Sequence, residues 1–301
     1  MSMYDCIIIG GGPAGLGASL TLGRARRKIA LFDDGTNRNR VTHESHGFIT
    51  RDGIKPHEFK GIGLSELKNY PNVSYFNKTI IEVRREKEEG NFIVKTRDNN
   101  EYVTEKLLLA TGIQEVFPIE SIRKFYGKSL FSCPYCDGWE LRDKPLLILA
   151  EKEEHILHMV KLIYNWSNDL LVLTNGNNLS EEGMRELAKH NIEIKNDRIE
   201  ELVGEEGYLK EVKLASGEII NRTLGFVAPT YYRPNYFAEK LGCEIDEKGR
   251  VMTDPRCRTT QKNVYVAGES RKPIPSSLLI AAADGNKAAV SINTDLTEER
   301  F

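Results

Sequence analysis

Tyr4-Asp5-Cys6-Ile7-Ile8-Ile9-Gly10-Gly11-Gly12-Pro13-Ala14-Gly15 is a short apolar run, rich in β-branched residues, that ends in a glycine cluster. Such a run reads as a buried strand entering a turn. The residues from Ala14 to about Arg26 suit a helix, and Lys28-Ile29-Ala30-Leu31-Phe32 reads as a second strand closed by Asp33-Asp34. The order is strand, turn, helix, strand, with an acid 18 residues after Gly15. In a G-x-G-x-x-G turn the glycines act separately. Gly10 makes the tight turn, Gly12 lets the backbone approach a pyrophosphate, and Gly15 lets helix and strand pack closely. The helix N-terminus, with Pro13 and Ala14 at its entry, faces the phosphates with unpaired N–H groups and a positive dipole end. Asp33 is placed to accept hydrogen bonds from a ribose. The motif alone is weak evidence, but with this flanking it points strongly to a bound dinucleotide.

Working outward, the chain has 301 residues, 42 Lys+Arg against 44 Asp+Glu, a net charge of −2 and 40% hydrophobic residues. That length suggests two domains of about 150 residues. The balanced charge, with no basic run, argues against nucleic acid. No apolar stretch approaches the roughly 20 residues that cross a bilayer, and the N-terminus enters a strand pattern at Tyr4 rather than a cleavable leader. A cytoplasmic protein is expected. Its five cysteines are too few and too scattered for a secreted disulfide framework. In a reducing compartment, disulfides are usually transient and catalytic or redox-sensing. One pair, Cys133-Pro134-Tyr135-Cys136, has the spacing such chemistry uses.

Further along, Asn91–Lys95 and Glu101–Val103 alternate like an antiparallel hairpin, and Lys106 to Gly112 reads as another buried strand with the small-residue exit Ala110-Thr111-Gly112. Asn263-Val264-Tyr265-Val266-Ala267-Gly268-Glu269 repeats that pattern with an acid behind the glycine, before a helix from about Pro275 to Ile292. The two ends of the chain thus look like one domain split by an insertion. The expected fold class is α/β, with two Rossmann-like, three-layer ββα domains. Residues 1–116 and 234–301 form the first, and 117–233 the inserted one.

Together with Cys133-Pro134-Tyr135-Cys136-Asp137-Gly138, these pieces resemble the low-molecular-weight thioredoxin reductases over nearly the whole chain. That resemblance implies an FAD flavoprotein disulfide oxidoreductase and a homodimer. It places Gly10, Gly12, Pro13, Ala14, Gly15, Asp33 and Asp34 on FAD, Ala110, Thr111 and Gly112 near it, and the acid after Gly268 on the ribityl chain. Here that acid is Glu269, one methylene longer than the family's Asp. The segment from Asn37 through Arg38, Asn39 and Arg40 to His46 is more like a branch that includes dithiol oxidases of small natural products such as gliotoxin. His46 there falls at a flavin-contacting position. Cys136 is implied as the flavin-proximal sulfur, Cys133 as the sulfur that exchanges with substrate, and Asp137 as the proton shuttle. Opening a helical turn lowers a thiol pKa. No metal site is expected, because Cys243 and Cys257 are isolated from each other and from any histidine pair. The helix beginning near Ser276 aims its N-terminus at the flavin, but Ser276-Ser277 stand where the family carries Arg-Gln.

One departure matters most. The reductases carry a second glycine motif for NADPH after the cysteine pair. Here the strand Pro145–Leu149 is followed by Ala150-Glu151-Lys152-Glu153-Glu154-His155, which has no glycine and sets three carboxylates where a pyrophosphate would sit. Like charges repel at that range, and the acids satisfy the helix dipole themselves. Leu173 to Asn178 also lacks the basic residues that hold a 2′-phosphate. Three electron routes remain: a small dithiol oxidised at the expense of O2, a ferredoxin-like donor reducing a disulfide or thioredoxin-like protein, or NADPH at a divergent site. The rival class is a non-catalytic flavin redox sensor, against which the intact cysteine pair and Asp137 speak.

Overall fold

The computed structural model describes residues 3–87, 90–272 and 275–301. They divide into two compact units: one of residues 1–40, 47–114 and 232–301, the other of 41–46 and 115–231. Val41–His46, which the sequence placed with the first unit, is drawn to the second. The His43 N–H donates to the Gly127 carbonyl there.

In the first unit, strands Val73–Asn77, Ile29–Asp33, Met3–Ile9, Glu101–Leu109 and Val264–Val266 make a parallel sheet. Its registers pair Ile9 with Phe32 on one side and Leu109 on the other. Both faces are covered at the centre of the sheet, which is why residues 6–9, 29–32, 107–109 and 264–266 read as unbroken apolar runs. Cys6, Ile8, Leu31 and Leu108 turn to helices Pro13–Arg24 and Leu278–Arg300, whereas Ile7, Ile9, Phe32 and Leu107 turn the opposite way, towards Phe92 and Val94. The expected hairpin and the strand after it prove continuous in Glu101–Leu109. Its first half pairs antiparallel with Phe92–Thr96 and its last residues pair parallel with Val264–Val266. The last helix starts at Leu278 and runs to Arg300, longer than expected. Ser277 caps it, its hydroxyl accepting from the Ile280 N–H.

The second unit repeats the plan. Strands Glu193–Lys195, Leu170–Leu173, Leu146–Leu149, Gly225–Val227 and Leu130–Phe131 form a parallel sheet. One face carries helices Glu153–Ile163 and Glu181–Ala188 through Ile156, Val160, Ile163 and Leu187; the other packs on the antiparallel strands Ile199–Glu205 and Tyr208–Leu214 through Leu202, Leu209 and Val212. The fold is the α/β, three-layer arrangement expected for each half.

Candidate functional site

The turn after Met3–Ile9 is built as its glycines require. Gly10 has φ +110°, and a Cβ there would stand 2.2 Å from the Ala110 carbonyl oxygen. A Cβ at Gly15 would stand 1.8 Å from the Gly10 carbonyl oxygen, so Gly15 keeps the helix pressed on the turn from behind. Beside this turn opens a cavity of about 350 Å³, wholly within the first unit. Of the residues expected at a cofactor, Gly10, Gly12, Pro13, Ala14, Asp33, Asp34, Arg38, Asn39, Ala110, Thr111, Gly112, Gly268, Glu269, Ser276 and Ser277 line it. Arg40 does not, because its guanidinium donates instead to the Thr36 and Asn37 carbonyls.

The two acids are engaged in ways the sequence did not reveal. The buried Asp33 carboxylate accepts from the Gly11 N–H at 3.1 Å and from the Lys60 ammonium. Glu269 spans the rim: Oε1 accepts from Arg38 Nη2 and from the Ser276 N–H, each at 2.9 Å. Behind it the buried Asp284 accepts from the Gly268 N–H and pairs with Arg271 and Lys272. Phe32, from the second strand of the motif, also lines the cavity, as do Lys78, Ile80, Tyr236 and Phe237. These last four come from segments with no motif, so nothing local in the sequence marked them.

In the second unit Cys133 and Cys136 are joined in a disulfide. Pro134–Asp137 is a single helical turn, in which the Cys133 carbonyl accepts from the N–H groups of Cys136 and Asp137. Tyr135, 76% exposed, meets Trp166 edge-on. Burial pushes the Asp137 carboxyl up to about 7; the nearby His46 lowers it and Glu140 raises it further. His46, expected beside the flavin, does not line the cavity. It moves with Val41–His46 into the second unit, where its Nε2 stands 3.5 Å from both Glu44 and Glu140.

A profile of pyridine nucleotide-disulphide oxidoreductases matches residues 4–285. The chain belongs to this family. Among relatives of the pyridine nucleotide-disulphide oxidoreductase family, it is 28% identical to a probable thioredoxin reductase of Arthroderma benhamiae, over 99% of this chain and 81% of that protein. It is 27% identical to thioredoxin reductase sirT of Leptosphaeria maculans, over 97% and 94%. Among solved structures, a putative thioredoxin reductase TrxB from Bacillus anthracis superposes with TM-score 0.96 at 57% identity, over 99% of this chain and 100% of that one. HlmI follows with TM-score 0.91 at 30%, over 99% and 93%.

Pyridine nucleotide-disulphide oxidoreductases, thioredoxin reductases among them, are FAD-binding flavoproteins. The residues here fit that cofactor. Apart from its neighbours in the chain, no protein atom lies within 4 Å of where a Gly12 side chain would begin, so packing does not account for this glycine. The helix Pro13–Arg24 has no side-chain cap and no acid in its first turn, which leaves its N–H groups to a phosphate. Ser276 Oγ, in the cavity wall, is buried without a hydrogen-bond partner.

The corresponding crevice of the second unit is furnished differently. Helix Glu153–Ile163 begins with Glu153 and Glu154. Glu153 reaches across to the next crossover, where its two oxygens accept from the Ser180 hydroxyl and N–H at 2.6 and 2.8 Å. Those bonds hold its carboxyl below the usual range. Glu151 accepts from the Asn175 amide at 2.8 Å. The loops that follow strands Leu146–Leu149 and Leu170–Leu173 are thereby tied together by carboxylates.

Proposed function

We propose that the chain is an FAD-dependent dithiol oxidase. The first unit holds FAD in the glycine-lined cavity, and the second carries the Cys133–Cys136 redox pair without taking NADPH at the usual place. The observation that carries this reading is the pair of bridges Glu151–Asn175 and Glu153–Ser180. A pyrophosphate at the ends of those strands would meet fixed negative charge.

In this reading a substrate thiolate attacks Cys133 Sγ, the Cys133–Cys136 bond breaks and Cys136 leaves as a thiolate. The second substrate thiolate then closes the substrate disulfide and releases Cys133. Asp137 takes the proton of an attacking thiol; a carboxyl held near neutrality suits that role. Bound FAD supplies the acceptor for the two electrons left on the cysteine pair and delivers them to O2, so that one dithiol and one O2 yield one disulfide and one hydrogen peroxide. A small dithiol suits the exposed turn at Tyr135.

The test is an anaerobic titration of the purified flavoprotein. Dithiothreitol is expected to bleach the flavin absorbance, and air to restore it with one peroxide per flavin, while NADPH and NADH leave it unchanged. Rapid stoichiometric bleaching by NADPH would overturn this reading in favour of a disulfide reductase of the thioredoxin type. Bleaching only by reduced ferredoxin would give the same direction with another donor, and no bleaching by any of them would leave a redox sensor.

A further inference from the structure

Helix Pro56–Leu67 carries no recognisable motif, yet it sends one charge inward. Phe59, Leu64 and Leu67 join the core cluster that holds Leu16 and Leu22 of helix Pro13–Arg24. Gly63 lets the two helices come close, since a Cβ there would stand 3.1 Å from Leu16 Cδ1. Lys60 lies on the same face, one turn before Gly63 and Leu64, where an apolar residue would be ordinary. Its side chain is only 20% exposed, and its ammonium meets Asp33 Oδ2.

Asp33 closes strand Ile29–Asp33 and lines the cavity, yet it is only 6% exposed. Its Oδ1 accepts from the Gly11 N–H at 3.1 Å, and a Cβ at Gly11 would stand 2.7 Å from Asp33 Cγ, so the turn and the carboxylate are pressed together. Lys60 is not among the wall residues of the cavity, so it grips the carboxylate from outside. Strand Ile29–Asp33 pairs directly with Met3–Ile9. A dinucleotide whose pyrophosphate rests on the turn after Met3–Ile9 therefore brings a ribose to Asp33. Two carboxylate oxygens offer about four lone-pair sites, which leaves room for ribose hydroxyls beside Gly11 and Lys60.

We propose that Lys60 is a positioning residue for the cofactor: it fixes Asp33 against the glycine turn and so sets the preference of this cavity for an adenosine ribose with free 2′ and 3′ hydroxyls. A charge-assisted bond is short and directional. With Gly11 on one oxygen and Lys60 on the other, the carboxylate cannot rotate, and its remaining lone pairs stay where a ribose needs them. The inference rests on FAD occupying the glycine-lined cavity and is independent of which way electrons run through the cysteine pair.

The experiment is cofactor exchange in the FAD-loaded protein. Parent and variants are equilibrated with a mixture of FAD and its analogue built on 2′,3′-dideoxyadenosine, and the bound flavins are separated and weighed. The parent is expected to prefer FAD by about tenfold or more, because the analogue leaves Asp33 without its ribose partners. Lys60→Met is expected to lower that preference at least threefold, and Lys60→Arg to keep it. A lysine that merely stabilised the fold would weaken both cofactors alike and leave the ratio unmoved. Asp33→Asn is expected to bring the ratio close to one, with no further change when Lys60→Met is added. An unchanged ratio in Lys60→Met overturns the positioning role, and so does a further fall in the double variant, which would put Lys60 on the ribose itself. Lys60→Gln keeps a neutral donor and carries the test if Lys60→Met does not fold. A parent that binds both cofactors equally overturns the ribose contact and the inference with it, whereas a parent that takes up no flavin overturns FAD in this cavity.

Discussion

Asp137 is the residue at which function and stability oppose one another. An ordinary aspartate ionises near 4, whereas burial holds this one up to about 7. Between those values the folded protein keeps a proton that the unfolded chain has released, so this group's contribution to stability falls as pH rises from about 4 to about 7. Asp137→Asn removes that slope. The variant is expected to match the parent near pH 4 and to exceed it by up to roughly 4 kcal/mol at pH 8, measured by denaturant unfolding at both pH values. A variant no more stable at pH 8 would show that the carboxyl ionises freely. The identity of Asp137 was legible, because it directly follows a Cys-x-x-Cys turn. The ion pair nearby was not: His46 and Glu140 lie 94 residues apart in the chain, and only the fold brings them together. The same holds for Lys60, which reaches Asp33 from helix Pro56–Leu67.

At the scale of elements, the first turn and the helices around it were written openly in the glycine spacing, but the way two helices meet was not. Gly17 and Gly285 let helices Pro13–Arg24 and Leu278–Arg300 approach backbone to backbone: a Cβ at Gly17 would stand 2.7 Å from the Ala282 carbonyl oxygen, and one at Gly285 1.9 Å from that of Ala14. Neither glycine belongs to a motif, and a small residue says nothing of which partner it admits. The glutamates after Leu146–Leu149 were likewise visible as charges, whereas their grip on Asn175 and Ser180 depends on the neighbouring crossover. Gly15→Ala places its methyl against a backbone carbonyl that the tight turn cannot move aside. We expect a loss of about 3 kcal/mol or more together with colourless purified protein. Retention of stoichiometric flavin would contradict the packing role given to Gly15.

At the scale of the whole molecule, the first unit is assembled from both ends of the chain, and buried charge joins them. Lys106 is fully buried, yet its ammonium is held by both oxygens of Glu299 and by Asn263 Oδ1. Glu299→Ala leaves that cation with one neutral partner, for an expected cost of about 3 kcal/mol. Lys106→Met added to Glu299→Ala is expected to restore much of it, because an apolar side chain needs no counter-charge. A double variant less stable than Glu299→Ala alone would disprove this account. Arg300 meanwhile pairs with Asp5 at 2.6 Å, and Arg27 donates to Asn293 and Thr297. The last helix thus finishes beside the first strand, and the order in which the polypeptide visits the first unit is incidental to its architecture. A circular permutant that joins the ends through a short linker and opens between residues 231 and 232 would begin with the segment now read last and run on through the first. The first unit would become a single uninterrupted passage, apart from the short excursion at Val41–His46, and the present insertion would become a C-terminal appendage.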